Sequence, residues 1–156
     1  MTDLTELLPK TKHCYVCGPE NPTGLHVPFQ PDGENGSRAT YTAHNEHEGW
    51  PGILHGGLTF TLMDEALGWA LYFHGLTGVT ARVETRFRHP IPVGTKLTVR
   101  AWMVERRRRT IKARAEVRGD TEEQPLLAEA DATMYLVDFD GDPDEGTEPR
   151  NSTTKP

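Results

Sequence analysis

Cysteine is scarce: the chain has 156 residues and only two cysteines, Cys14 and Cys17. Two are too few for the disulfide scaffold of a small secreted domain. No apolar run approaches the ~18–20 residues that a membrane span needs. The segment Met1 to Lys10 lacks an apolar core followed by a small-residue cleavage site, so no secretory leader is expected. The one basic block, Arg106 to Arg109, has no interleaved aromatics, which leaves nucleic acid an unsupported partner. Internal repeats are absent. With 35% hydrophobic and 26% charged residues the composition favours a packed core over disorder, and the length suits one domain. The expectation is a soluble, cytoplasmic, single-domain protein with no membrane partner.

The charge is unevenly placed. The formal net charge is −6, and from Asp138 to Pro156 six acids face two bases, a local −4 that leaves only −2 for the preceding residues. The acidity belongs mostly to this end, read as a solvated, disordered tail over 138–156. It includes Asp138-Phe139-Asp140-Gly141-Asp142, which superficially resembles a calcium loop. However, Pro143 stands where that loop needs glycine. Residues 1–12 read as an N-terminal extension, with one helical turn over Asp3 to Leu8, and 13–137 as the domain.

Within the domain, Gly18-Pro19, Asn21-Pro22 and Gly24 mark a turn-rich start. Strands are expected over Leu25 to Gln30 and Ser37 to Ala43. Gly57 to Phe73 is the strong helix candidate: it has no proline and carries Phe60, Leu62, Met63, Ala66, Leu67, Ala70, Leu71 and Phe73 around its broad side. Period-two alternation then predicts strands over Ala81–Arg88, Lys96–Met103, Ile111–Arg118 and Leu126–Leu136. Successive strands on short turns pair antiparallel. A single helix this apolar must be covered over most of its circumference. The expected architecture is therefore α+β, with a curved antiparallel sheet wrapped around one long central helix.

The helix leaves a narrow strip of Gly57, Thr61, Asp64, Glu65, Gly68 and Tyr72. A mid-helix carboxylate is costly to bury unpaired, and an exposed mid-helix glycine costs ~1 kcal/mol relative to Ala. Gly68 therefore points to something packing closely there, a ligand or a second subunit. Ahead of the helix, His55-Gly56-Gly57 offers unobstructed backbone N–H groups at the positive end of the helix dipole, a site for an anion or a developing oxyanion. Asp64 lies ~10 Å further along the axis, too far for both groups to reach one reacting carbon in the same chain. An antiparallel partner helix would bring its acid opposite this turn, which favours a site shared between two chains.

The run from His55 through Asp64 to Gly68 resembles the signature of the hot-dog-fold acyl-CoA thioesterases of the PaaI-like branch. Cys14-Tyr15-Val16-Cys17-Gly18-Pro19 through Leu25 is similar to the opening of many such domains. Val79-Thr80-Ala81-Arg82, leading to Phe87-Arg88-His89-Pro90, continues the likeness, which spans roughly residues 13–137. The resemblance implies a hot-dog fold and a homodimer or dimer of dimers with sites at the interface. It implies acyl-CoA as substrate and no cofactor beyond the coenzyme A that the substrate carries. By position, Asp64 matches the general base or nucleophile and Gly56 the amide that polarises the thioester carbonyl. His55 matches the residue that orients that carbonyl, and Thr80 a hydroxyl that some relatives take from the partner subunit. Many relatives have Asn six residues before the histidine; here that position is Gly49, and Asn45 or His47 could take its place.

Gly57, Glu65 and Gly68 are expected to face substrate, although Glu65 also reads as a partner for a nearby arginine. Arg82, Arg86, Arg88 and His89 are candidate contacts for the coenzyme A phosphates. Arg106 to Arg109 reads as a solvated hairpin turn, with a phosphate clamp as the alternative. Cys14 and Cys17 with His13 and His26 could supply four zinc ligands on paper, but without a second Cys-x-x-Cys the reading is a structural turn and no metal. Trp50, Trp69 and Trp102 read as core. The rival functions are a hydratase or dehydratase on acyl thioesters, and a non-catalytic acyl-CoA binder.

Overall fold

The computed structural model describes residues 11–137. The helical turn expected over Asp3 to Leu8, nearly all of the 1–12 extension, and the acidic tail with its calcium-like run lie outside the described residues. Helix α1 (Gly56–Tyr72) follows strands β1 (Gln30–Asp32) and β2 (Gly36–Thr42) and precedes β3 (Gly78–Phe87), β4 (Lys96–Arg106), β5 (Thr110–Gly119) and β6 (Leu126–Leu136). The strands form one six-stranded sheet in the order β1-β2-β4-β5-β6-β3, every neighbouring pair antiparallel. The helix touches all six strands, which is the expected α+β layout of a sheet curved around a single helix.

The packing follows from side-chain size. Ala113 and Ala115 on β5 and Ala128, Ala130 and Ala132 on β6 are buried. Their small volume leaves room for Leu62, Met63, Leu67 and Leu71 of α1, which are completely buried in the same core. Buried Ser37 on β2 donates to the Ala66 carbonyl at 2.6 Å, so a polar residue that would otherwise be costly to bury ties sheet to helix. The strip predicted on α1 is present: Thr61, Asp64, Glu65, Gly68 and Tyr72 are half-buried. Thr59 and Trp69 extend the buried face beyond the residues expected for it.

Two expectations are corrected. The strand predicted over Leu25 to Gln30 is displaced to Gln30–Asp32. Val27 and Phe29 are buried, but their segment bonds to the N-terminal loop through Val27 N–H to the Val16 carbonyl at 2.8 Å rather than joining the sheet. Pairing of consecutive strands holds for β1–β2, β4–β5 and β5–β6 and fails for β3–β4. The reason is α1: it crosses the sheet and delivers β3 to the far edge beside β6. The return segment to β4 then runs back under the helix start, where Leu54 N–H bonds the Ile91 carbonyl at 2.8 Å and Val93 N–H the Gly52 carbonyl at 2.9 Å. That segment fixes the entry into α1.

Edge position also changes β3 itself. A bulge between Thr80 and Arg82 leaves Ala81 exposed, and Phe87 is 57% exposed, although both were expected on an inward face. Among the described residues no strand lies on the outer side of β3 to cover it. Leu67→Ala, which empties the centre of the helix–sheet contact, should cost about 2–5 kcal/mol in urea denaturation; a loss below ~1 kcal/mol would contradict this packing.

Candidate active site

Helix α1 starts at an unusual cap. His55 is its N-cap, with φ −59° and ψ 129°, and the ring Nδ1 accepts the Gly57 N–H at 2.8 Å. Position 57 needs glycine because a Cβ there would lie 2.9 Å from that nitrogen. Gly49 packs against the other side of the ring, where a Cβ would come within 3.1 Å of His55 Cδ2. An asparagine at position 49 would therefore press on the histidine. Of the two residues suggested in its place, His47 is engaged, with Nδ1 2.7 Å from the Tyr41 hydroxyl, and Asn45 begins a short 3-10 turn.

The first-turn donors can be counted. Gly57 bonds the His55 ring, and Leu58 and Thr59 N–H bond the His55 carbonyl at 3.0 and 3.1 Å. Gly56 N–H alone has no partner among the described residues. It is a free donor at the positive end of a 17-residue helix. Gly56 lines a cleft of about 610 Å³ together with Trp50, Leu54, His55, Gly57 and Phe87. An adjoining cleft adds Arg88, His89 and Ile91. Because His55 Nδ1 is an acceptor, the neutral ring carries its hydrogen on Nε2, which makes Nε2 a donor.

Asp64 stands eight residues, or about 12 Å, further along the axis from Gly56. Its Oδ1 accepts the Thr80 hydroxyl at 2.6 Å. The resemblance suggested a hydroxyl borrowed from the partner; here Thr80 of the same chain holds Asp64, because α1 leads directly into β3. One chain thus brings His55, Gly56 and Gly57 together at one point and Asp64 with Thr80 at another. Gly68 meets nothing within 4 Å of a hypothetical Cβ in its own chain.

Glu65 has no arginine partner among the described residues. Its Oε1 accepts Trp69 Nε1–H at 3.0 Å and the Cys14 thiol at 3.4 Å. Burial pushes the carboxyl up to about 7. Hydrogen bonding from Cys17 draws the Cys14 thiol down to about 5, while its bond to Cys14 together with burial pushes Cys17 up. The phosphate-contact candidates divide. Arg88 and His89 share a cleft with Gly56, although Arg88 is paired with Glu129, whose carboxyl it holds below the usual range. Arg86 pairs with Glu84 at 3.5 Å, and Arg82 lines a separate hollow on the outer sheet face. Arg107 to Arg109 form the exposed β4–β5 turn, with Arg107 bonded to Glu105 and Arg109 to Tyr135.

Residues 51–126 match the family model of the thioesterase superfamily. The described residues have the fold of that superfamily, and the resemblance to hot-dog thioesterases holds. A crystallised thioesterase superfamily protein is 28% identical with a TM-score of 0.73; the match covers 81% of this chain and 63%, less than two thirds, of that protein. The PaaI protein of E. coli, from the phenylacetic acid degradation operon, is 22% identical with a TM-score of 0.67, over 73% of this chain and 81% of that one. A Streptococcus mutans protein bound to acetyl CoA is 21% identical with a TM-score of 0.66, over 71% and 88%. These last two are likenesses of fold. No curated protein matches the chain. No helix among the described residues is long and apolar enough to cross a membrane.

Sequence reasoning missed two features. Trp50, read as core, is 82% exposed and walls the cleft with Phe87; its setting between Gly49 and Pro51-Gly52 was the available signal. The meeting of Glu65 with Cys14, 51 residues away, and with Cys17 left no local signal. Gly68→Ala should stabilise the isolated fold by up to ~1 kcal/mol. Gly57→Ala should instead destabilise it by about 1 kcal/mol by displacing the His55 cap. Urea denaturation of both variants checks the opposite signs.

Proposed function

We propose that the protein hydrolyses acyl-CoA thioesters to free acid and thiol, with a water activated by Asp64 at a site shared between two copies of the chain. The observation that carries this reading is the unpartnered Gly56 amide at the head of α1, in a cleft walled by Trp50 and Phe87. Acetyl CoA bound to the Streptococcus mutans protein supports coenzyme A thioesters as ligands of this fold.

The chemistry needs little else. The thioester carbonyl would accept Gly56 N–H, and His55 Nε2–H would orient it. The Asp64 carboxylate takes a proton from water while the water oxygen attacks the carbonyl carbon. Negative charge builds on the carbonyl oxygen, where a fixed amide and the helix dipole are worth most. Collapse breaks the C–S bond, the acid is released, and the departing thiolate takes the proton back. Thr80 fixes the carboxylate through its hydroxyl, which leaves the other oxygen for water. Arg88 and His89 at the rim are the best placed of the candidate cations for the coenzyme A phosphates.

The uncovered edge of β3 supports a dimer. Among the described residues, the outer edge of the ten-residue β3 has no strand beside it, a surface that proteins normally cover. An isologous antiparallel pairing centred on Val83 sets Arg82 opposite the partner's Glu84 and uses the whole strand. Centring on Arg82 or Glu84 opposes like charges, and centring on Thr85 overlaps only half the strand. In the favoured register Thr80, with Asp64 bound to it, comes within about 7 Å along the edge of the partner's Phe87. Phe87 packs 3.6 Å from the Cβ position of Gly56. The acid of one chain thereby approaches the free amide of the other.

Thiol release from short, long and aryl acyl-CoA substrates tests this reading. Asp64→Asn should lower kcat by 10²–10⁴. Gly56→Pro replaces the amide hydrogen with a ring carbon at a position where helices favour proline, after a residue whose ψ of 129° accepts one. It should cost 10²–10³ in kcat with helix content unchanged by circular dichroism, while Gly56→Ala, whose Cβ fits beside Phe87, should retain activity. Enoyl-CoA hydration without thiol release, tight binding without turnover, or near-normal rates in Asp64→Asn would each overturn it.

A further inference from the structure

The thioesterase reading leaves one cluster unused. Cys14 and Cys17, from the irregular N-terminal loop, and Glu65, from α1, place one potential ligand atom each within 4.8 Å of one another. Both thiols are free and half-buried. His13 and His26, the ligands that the sequence suggested beside the cysteines, are not in the group.

We propose that Cys14, Cys17 and Glu65 bind one thiophilic divalent ion of the zinc type, in a tetrahedral site whose fourth position is filled by water.

Three observations support the assignment. First, the spacing fits. Tetrahedral bonds of about 2.3 Å to sulfur and 2.0 Å to oxygen set those two ligands about 3.5 Å apart, and Cys14 Sγ lies 3.4 Å from Glu65 Oε1. Second, one ligand already has an outer partner: Trp69 Nε1–H bonds Glu65 at 3.0 Å. Such a contact holds a ligand in place around an ion. Third, the loop is folded to present both thiols on one side. Gly18 N–H bonds the Cys14 carbonyl at 2.9 Å. A Cβ on Gly18 would come within 2.4–2.6 Å of the Cys14 and Lys12 backbone, so only glycine closes this turn. Loading displaces the two thiol protons, and any proton on Glu65, to solvent, and no group changes oxidation state. The ion would staple a loop that has no strand of its own to the helix, one residue beyond Asp64.

The test uses the full chain, purified under reductant, stripped with chelator and titrated with cobalt(II). The expected result is one cobalt per chain, with the visible bands of a tetrahedral site and a thiolate-to-cobalt charge-transfer band. One equivalent of zinc should remove these bands and raise the melting temperature. Cys14→Ser and Cys17→Ser should each diminish the charge-transfer band, and Glu65→Gln should keep it while weakening cobalt binding tenfold or more. If the cysteine variants do not fold, Glu65→Gln and the zinc-dependent melting shift decide. Two freely titrating thiols with no charge-transfer band at equimolar cobalt, or a band unchanged in Cys14→Ser, would overturn the proposal. Metal stoichiometry is read independently of thiol release, so failure here and failure of the thioesterase reading are distinguishable.

Discussion

Burial of α1 is the constraint on which the rest depends. Eight of its 17 residues are buried, and helical periodicity spreads them around so much of the circumference that one flat sheet face could not cover them. The sheet has to curve around the helix, and the chain must leave β2, traverse the sheet and begin again at the opposite edge. That path sends β3 to an uncovered edge, carries the return segment beneath the helix start, and leaves one strip of the helix for polar residues. Asp64, Glu65 and Gly68 occupy the only side that the core did not claim.

The head of the helix is set apart for a second reason. A helix start has four orphan donors; here the His47 carbonyl takes the His55 N–H, the His55 ring takes Gly57 and the His55 carbonyl takes Leu58. The ring bond requires glycine at 57, and ring packing favours a minimal side chain at 49. The cap that stabilises the helix is therefore also what leaves a single defined amide in a cleft walled by exposed aromatics. In one chain that amide and the Thr80-held carboxylate stand about two helical turns apart, and the unpaired β3 edge is the surface through which a second copy could close the gap.

Much of this was readable before the structure. Periodicity located α1 to within a residue and placed the inward alanines of β5 and β6, because both elements bury one face against a continuous core. The polar strip emerged from the same winding. Residues whose position depends on topology were not readable. The β3 bulge and the exposure of Phe87 follow from an edge assignment that local alternation does not encode. Trp50 was assigned to the core by residue type, whereas the loop that carries it is positioned by backbone bonds from the distant 88–95 segment. Glu65 was matched to an arginine on charge alone, but the residues that meet it are a tryptophan one turn on and two cysteines from the N-terminal loop.

The central claim is that the acid of one chain serves the amide of the other, and subunit complementation tests it most directly. Asp64→Ala and Gly56→Pro chains, each inactive alone, are unfolded together, refolded and assayed for thiol release. If the site is shared, each mixed dimer holds one site with both groups intact, and random pairing restores about a quarter of the wild-type rate. A mixture as silent as its parents, with mixed dimers shown to form, would place both groups within a single chain and contradict the account.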